Sequence, residues 1–105
     1  MSPRPGEVWL ADLGLAAKTR PVVVVSRYDE NPPRVLVIYV PLTSEDRGSD
    51  YEVKIPQLSF LRIAGVANVQ GMASLPHTRL ERRLGVLPKE ILEQIKRALR
   101  FTLDL

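Results

Sequence analysis

The sequence predicts a mainly β fold completed by one C-terminal α-helix, and three observations carry that expectation. Short apolar, β-branched runs alternate with Pro, Gly and Asp/Asn punctuation through the first three quarters of the chain. After Pro88 the period changes, and Ile91, Leu92, Ile95, Ala98 and Leu99 fall on a single helical stripe. With 105 residues, 45% hydrophobic and 26% charged, the chain has material for one core and no room for two, so residues 1–105 are read as a single domain.

Residues 7–13 (EVWLADL) mix apolar and acidic side chains, as a half-exposed strand does. Residues 21–26 (PVVVVS) and 35–40 (VLVIYV) are continuous and β-branched, the pattern of strands buried on both faces, and are expected at the middle of the sheet. Between them Asp29-Glu30-Asn31-Pro32-Pro33 cannot continue a ladder, so the two runs are predicted to pair as antiparallel neighbours. Residues 51–55 (YEVKI) alternate strictly and read as an antiparallel edge. Residues 66–69 and 72–75 are two further short strands, with Gln70-Gly71 between them as a bulge or tight bend. Five or six strands of this length imply a small barrel or sandwich. Pro88 suits the first helical position, and Glu93 with Arg97 forms an i,i+4 pair worth about 0.2–0.5 kcal/mol.

Composition removes many functions. There is no cysteine and one histidine, which excludes disulfides, thiolate metal sites, a Cys–His dyad and His-rich metal centres; GxxxxGK[ST], GxGxxG and GxSxG are all absent. Neither a membrane-spanning run nor a signal peptide is present in the sequence, and a cytoplasmic location is expected. The net charge of +3 is local. Residues 1–76 balance eight basic against eight acidic side chains, whereas residues 77–105 carry seven basic against four acidic ones.

Any catalysis must therefore use Arg, Lys, Ser/Thr, Tyr, Asp/Glu or the lone His77, and a nucleophile supplied by the substrate becomes attractive. Arg20 stands directly before the four-valine run, so its guanidinium emerges at a strand entrance. It either pairs with a neighbouring acid or offers a planar fork to a phosphate. Thr43 and Ser44 close the next strand, where hydroxyls either satisfy a turn or face a ligand. If the two central strands are antiparallel neighbours, Arg20 and Thr43 converge.

At this point the ordered motifs resemble a known family. Gly6-Glu7-Val8-Trp9, Asp12-Leu13-Gly14, Arg20-Pro21-Val22-Val23-Val24-Val25-Ser26 and Pro41-Leu42-Thr43-Ser44 are similar to the successive signatures of the MazF/PemK toxin endoribonucleases. Asn68-Val69-Gln70, Arg79-Leu80 and Leu84-Gly85-Val86-Leu87 continue the likeness across nearly the whole chain. The resemblance implies a small SH3-like β-barrel with a C-terminal helix, forming a homodimer. It implies sequence-specific, ribosome-independent cleavage of single-stranded RNA, held in check by a small antitoxin. By motif, Arg20 and Thr43 become the catalytic residues, with no metal and no cofactor required.

Lys18, Ser44, Arg27 and Gln70 are weaker candidates for neighbouring RNA contacts, and His77 lies outside the matched motifs. Trp9 is read as core or dimer interface rather than as a base-stacking platform. The string Arg79-Arg82-Arg83 is either a stripe facing RNA or antitoxin or a solvated connection before the helix. The chain departs from the family in its short loop ahead of Arg20. It also reads Gln70-Gly71-Met72-Ala73 where many relatives carry an acid–glutamine pair followed by a basic residue. The rival reading is a non-catalytic toxin or binding module on the same barrel, such as one that poisons DNA gyrase by binding it.

Overall fold

The computed structural model describes residues 2–14, 19–62 and 65–105. Seven strands are followed by one helix: β1 (Glu7–Asp12), β2 (Thr19–Val24), β3 (Leu36–Thr43), β4 (Glu52–Lys54), β5 (Val66–Asn68), β6 (Ala73–Pro76), β7 (Leu80–Val86) and α1 (Lys89–Leu103). Two single 3-10 turns, Val69–Gly71 and His77–Arg79, flank β6. No helix among the described residues is long and apolar enough to cross a membrane.

The strands run in the order β4-β5-β3-β2-β1-β7, every neighbouring pair antiparallel. As predicted, the two valine-rich runs are neighbours at the middle of the sheet and 51–55 supplies an edge. β3 is long enough to serve two partners, pairing β6 through Leu36–Tyr39 and β5 through Leu42 and Thr43. Of the expected SH3-like β-barrel the mainly antiparallel sheet and the C-terminal helix are present, but the sheet is not closed: no ladder joins β4 to β7 among the described residues. β6 and β7, joined by the turn at His77–Arg79, bond to β3 and β1 and not to each other. Two register shifts between β1 and β7 add local twist.

β7 is the strand that periodicity missed. Its residues (LERRLGV) read as a connection because three successive charges interrupt the apolar pattern and the two shifts break the alternation. Those charges are what an edge strand carries to discourage pairing with another chain. The β3 run also differs from expectation. Val37 and Val40 are buried, one on each face, but Val35, Leu36 and Ile38 remain 41–55% exposed, so neither face of β3 is buried along its whole length. The bend expected at Gly71 is a 3-10 turn. A side chain there would collide with Pro41, whose Cγ lies 2.8 Å from where a Cβ would sit.

Strand alternation sorts the apolar residues onto two faces. Val8, Val23, Val40, Val53, Ile55, Ala67 and Val69 join Ile91, Ile95 and Ala98 of α1 in the main core. Trp9, Ala11, Val22, Val24, Val37, Leu75 and Leu80 form a second cluster on the opposite face. Trp9 is therefore core, with its indole N–H donating to Glu7 Oε1 at 3.0 Å. The helix begins one residue after Pro88, and Glu93 pairs with Lys96 at 3.5 Å rather than with Arg97.

Ile95 is the largest side chain with no exposed surface, and it holds the helix to the sheet. Ile95→Ala is expected to destabilise the fold by about 2–5 kcal/mol. That is a large share of the roughly 5–15 kcal/mol typical of a domain, and urea unfolding at neutral pH measures it.

Candidate active site

The central ladder puts the two principal sequence candidates at one end of the sheet. Val22 lies opposite Pro41, and two residues further toward that end stand Arg20 on β2 and Thr43 on β3. Alternation sends both side chains to the Trp9 face, because Arg20 shares parity with Val22 and Val24, and Thr43 with Tyr39 and Val37. Arg20 is also directly opposite Ala11 of β1. Its side chain is exposed, and among the described residues no acid lies within ion-pair distance of it. Of the two readings open to this arginine, simple pairing with a neighbouring acid is the one the structure does not have.

Thr43 performs the turn role considered from the sequence: its Oγ1 accepts a hydrogen bond from the Glu45 backbone N–H at 3.2 Å. That bond orients the hydroxyl yet uses only a lone pair, leaving the hydroxyl hydrogen free to be donated. The backbone here is held from the other side by β5, where Thr43 pairs with Val66. Gly65 approaches so closely that a Cβ on it would sit 2.2 Å from the Thr43 carbonyl oxygen. This glycine was invisible to sequence reasoning, since only the folded approach of two strands reveals why a side chain is excluded.

The weaker candidates separate. Ser44 is exposed beside Thr43, and Gln70 rides on the turn whose Gly71 packs against Pro41, so both lie near the Arg20–Thr43 end. Arg27 does not. It follows the other end of β2, in a cleft with Ser26, Asp29 and Glu30. His77 lines that same cleft. Lys18 lies outside the described residues.

The segment after Thr43 is held by its own acids. Glu52 accepts from the Arg47 and Ser49 backbone N–H groups at 3.0 and 2.9 Å and from the Ser49 hydroxyl at 2.7 Å, and Arg47 also pairs with Glu45. The Arg47 backbone hydrogen bond first, and then those from Ser49, hold the Glu52 carboxyl below its ordinary value of 4.5. A depressed folded pKa contributes stability above the unfolded value, which is lost as pH falls through the folded one. The melting-temperature gap between the parent protein and Glu52→Gln is therefore expected to be full near pH 7 and to close as the pH drops below 4.5.

The basic string before the helix is also sorted by the fold. Arg83 lies opposite Trp9 and its Nε is 3.4 Å from Glu7 Oε2, while Arg82 lies opposite Leu10 and so belongs to the other face. Arg79 sits in the turn before β7, and its Nη1 lies 3.1 Å from where a side-chain methyl on Gly14 would be.

Residues 4–103 match the family model described as the PemK-like, MazF-like toxin of type II toxin-antitoxin systems. The chain belongs to the PemK/MazF toxin family. Solved structures agree across the full length of this member. An endoribonuclease from a mycobacterial species superposes with a TM-score of 0.84 at 26% identity, covering 100% of this chain and 94% of that one. A mycobacterial endoribonuclease in complex with its cognate antitoxin gives 0.85 at 26% identity, covering 98% and 96%. MazF from Deinococcus radiodurans gives 0.81 at 27% identity, covering 100% and 99%. The PemK/MazF assignment thus rests on nearly the whole chain.

Proposed function

We propose that this protein is an endoribonuclease toxin that cuts single-stranded RNA at short sequences without the ribosome, and that Arg20 and Thr43 are its catalytic residues. The observation that supports this most is an exposed guanidinium with no acidic partner among the described residues, at the same end of paired strands as a pre-oriented hydroxyl. The similar solved structures include endoribonucleases, one of them bound to its cognate antitoxin.

The reaction asks little covalent chemistry of the protein. The ribose 2′-OH attacks the adjacent phosphorus, the O2′–P bond forms and the P–O5′ bond breaks, and in net one proton passes from O2′ to O5′. The products are a 2′,3′-cyclic phosphate and a 5′-OH end. The site must align that displacement and hold the negative charge that gathers on the phosphoryl oxygens. Arg20 supplies the planar fork for those oxygens and Thr43 donates one further hydrogen bond. Arg20 acts as a charge and not as a base, because a guanidinium with a pKa above about 12 keeps its protons near neutrality. No group of three or more His, Asp or Glu side chains that could hold a metal ion occurs among the described residues, and the reading assigns no metal to the step.

The partners belong to the same reading. Seven large apolar side chains stand exposed among the described residues, and a second copy of the chain would cover part of that surface in a homodimer. An acidic antitoxin segment, folding as it binds, would compete with RNA for the same cationic end.

The test is incubation of the purified protein with an unstructured RNA transcript in excess EDTA. Cleavage that leaves cyclic phosphate and 5′-OH ends is the expected result. Intact RNA, as a toxin that only binds its target would leave it, or cleavage that requires added metal, overturns the proposal.

A further inference from the structure

We infer that Arg79 is a second phosphate-binding residue of this site, holding the phosphate that flanks the scissile one; the inference rests on the endoribonuclease reading above. Three observations converge on it. Of the three arginines in the basic string, Arg83 is tied to Glu7 and Arg82 belongs to the other face, which leaves Arg79 as the one at the Arg20 end of the sheet. Among the described residues no acid lies within ion-pair distance of it.

The second observation is topological. Leu80, the residue after Arg79, lies opposite Ala11 on one side of β1, and Arg20 lies opposite the same Ala11 on the other side. Two strand spacings, roughly 10 Å, separate those backbones. Side chains that rise side by side from backbones this far apart reach neighbouring points on a ligand, which suits successive phosphates of one RNA strand.

The third is the surface beneath Arg79. Gly14 follows the end of β1 with φ of +74°, and its N–H donates to Asp12 Oδ1 at 2.9 Å. The guanidinium of Arg79 lies where a Gly14 side chain would otherwise be, with Nη1 only 3.1 Å from the position of a Cβ. The glycine leaves a shelf of bare backbone, and the cation on it is directed to the same end of the sheet as Arg20. A planar fork held this way suits a backbone phosphate.

The experiment is steady-state cleavage of an unstructured RNA transcript by the full chain at several salt concentrations. It compares the parent protein with Arg79→Ala, Arg79→Gln, Arg79→Lys and, as a control on the other face, Arg82→Ala. Loss of one phosphate contact is expected to raise KM about tenfold with kcat within about twofold. It should also reduce the slope of log(kcat/KM) against log salt by about 0.7, the single-strand value per contact. Arg79→Lys should keep the slope, and Arg82→Ala should keep both KM and slope. If the parent protein cleaves and both uncharged Arg79 variants match it in KM and slope, the inference is overturned while the endoribonuclease reading stands. A melting temperature lowered with the slope unchanged would mean a structural role and also overturns it. If the parent protein cleaves no RNA, both readings fail together.

Discussion

Arg20→Ala is expected to lower kcat for RNA cleavage about a thousandfold while leaving the melting temperature nearly unchanged. The magnitude follows from what the side chain does in the proposed step. Removing one preorganised donor from a developing oxyanion typically lowers kcat about 10²–10³-fold, and an arginine on a transferring phosphoryl group contributes about 10³–10⁵. The stability half of the expectation follows from position. Arg20 is exposed at the start of β2 and ion-paired to none of the described acids, so its truncation leaves neither a cavity nor an orphaned buried charge. Arg20→Lys separates charge from shape: it keeps the cation and loses the planar fork, and should fall between the parent protein and Arg20→Ala. Single-turnover cleavage alongside thermal melts measures both halves, and an Arg20→Ala variant cutting RNA at the parent rate would remove Arg20 from the mechanism.

That such a test could be designed from the sequence reflects where its information is local. Val22, Val23 and Val24 announce a central strand, the Asp29–Pro33 connection forces a reversal, and together they place Arg20 and Thr43 at one end before any coordinates are known. Information that depends on distant approach is absent from such patterns. β7 carries Glu81, Arg82 and Arg83 in succession and two register shifts, so it shows no period of two. The exposure of Leu36 and Ile38 on β3 depends on which strands and helix turns reach that face, which a continuous apolar run does not specify. Arg79 belongs to the same class: its proximity to Gly14, more than sixty residues earlier, and the pairing of Arg83 with Glu7 separate it from Arg82 and Arg83, and neither is legible in the basic string itself.

Gly65 is where these two kinds of information meet, and Gly65→Ala is expected to damage stability and activity together. The added Cβ would sit 2.2 Å from the Thr43 carbonyl oxygen, 3.0 Å from the Thr43 carbonyl carbon and 3.2 Å from Ser44 Cα. All three neighbours are backbone, so no rotamer change can relieve the overlap. Gly71 is different in that its nearest obstacle is the Pro41 ring. Either the end of β3 shifts or the short β3–β5 ladder, Leu42 with Ala67 and Thr43 with Val66, opens. Overpacking of this kind typically costs about 1–3 kcal/mol. Either relaxation changes how Thr43 is held beside Arg20, since β5 supports the side of β3 that β2 does not, and a displacement near 1 Å in a positioned group can cost about a hundredfold in rate. Thr43→Ala supplies the comparison, because it removes the hydroxyl without moving the strand and should lower kcat with little change in melting temperature. If Gly65→Ala acts through Thr43, the double variant should be scarcely slower than the slower single one, since a hydroxyl already displaced has little left to lose. Strictly multiplicative rate losses would place the effect of Gly65 elsewhere, and an unchanged melting temperature would show that β5 does not press on β3 at this point.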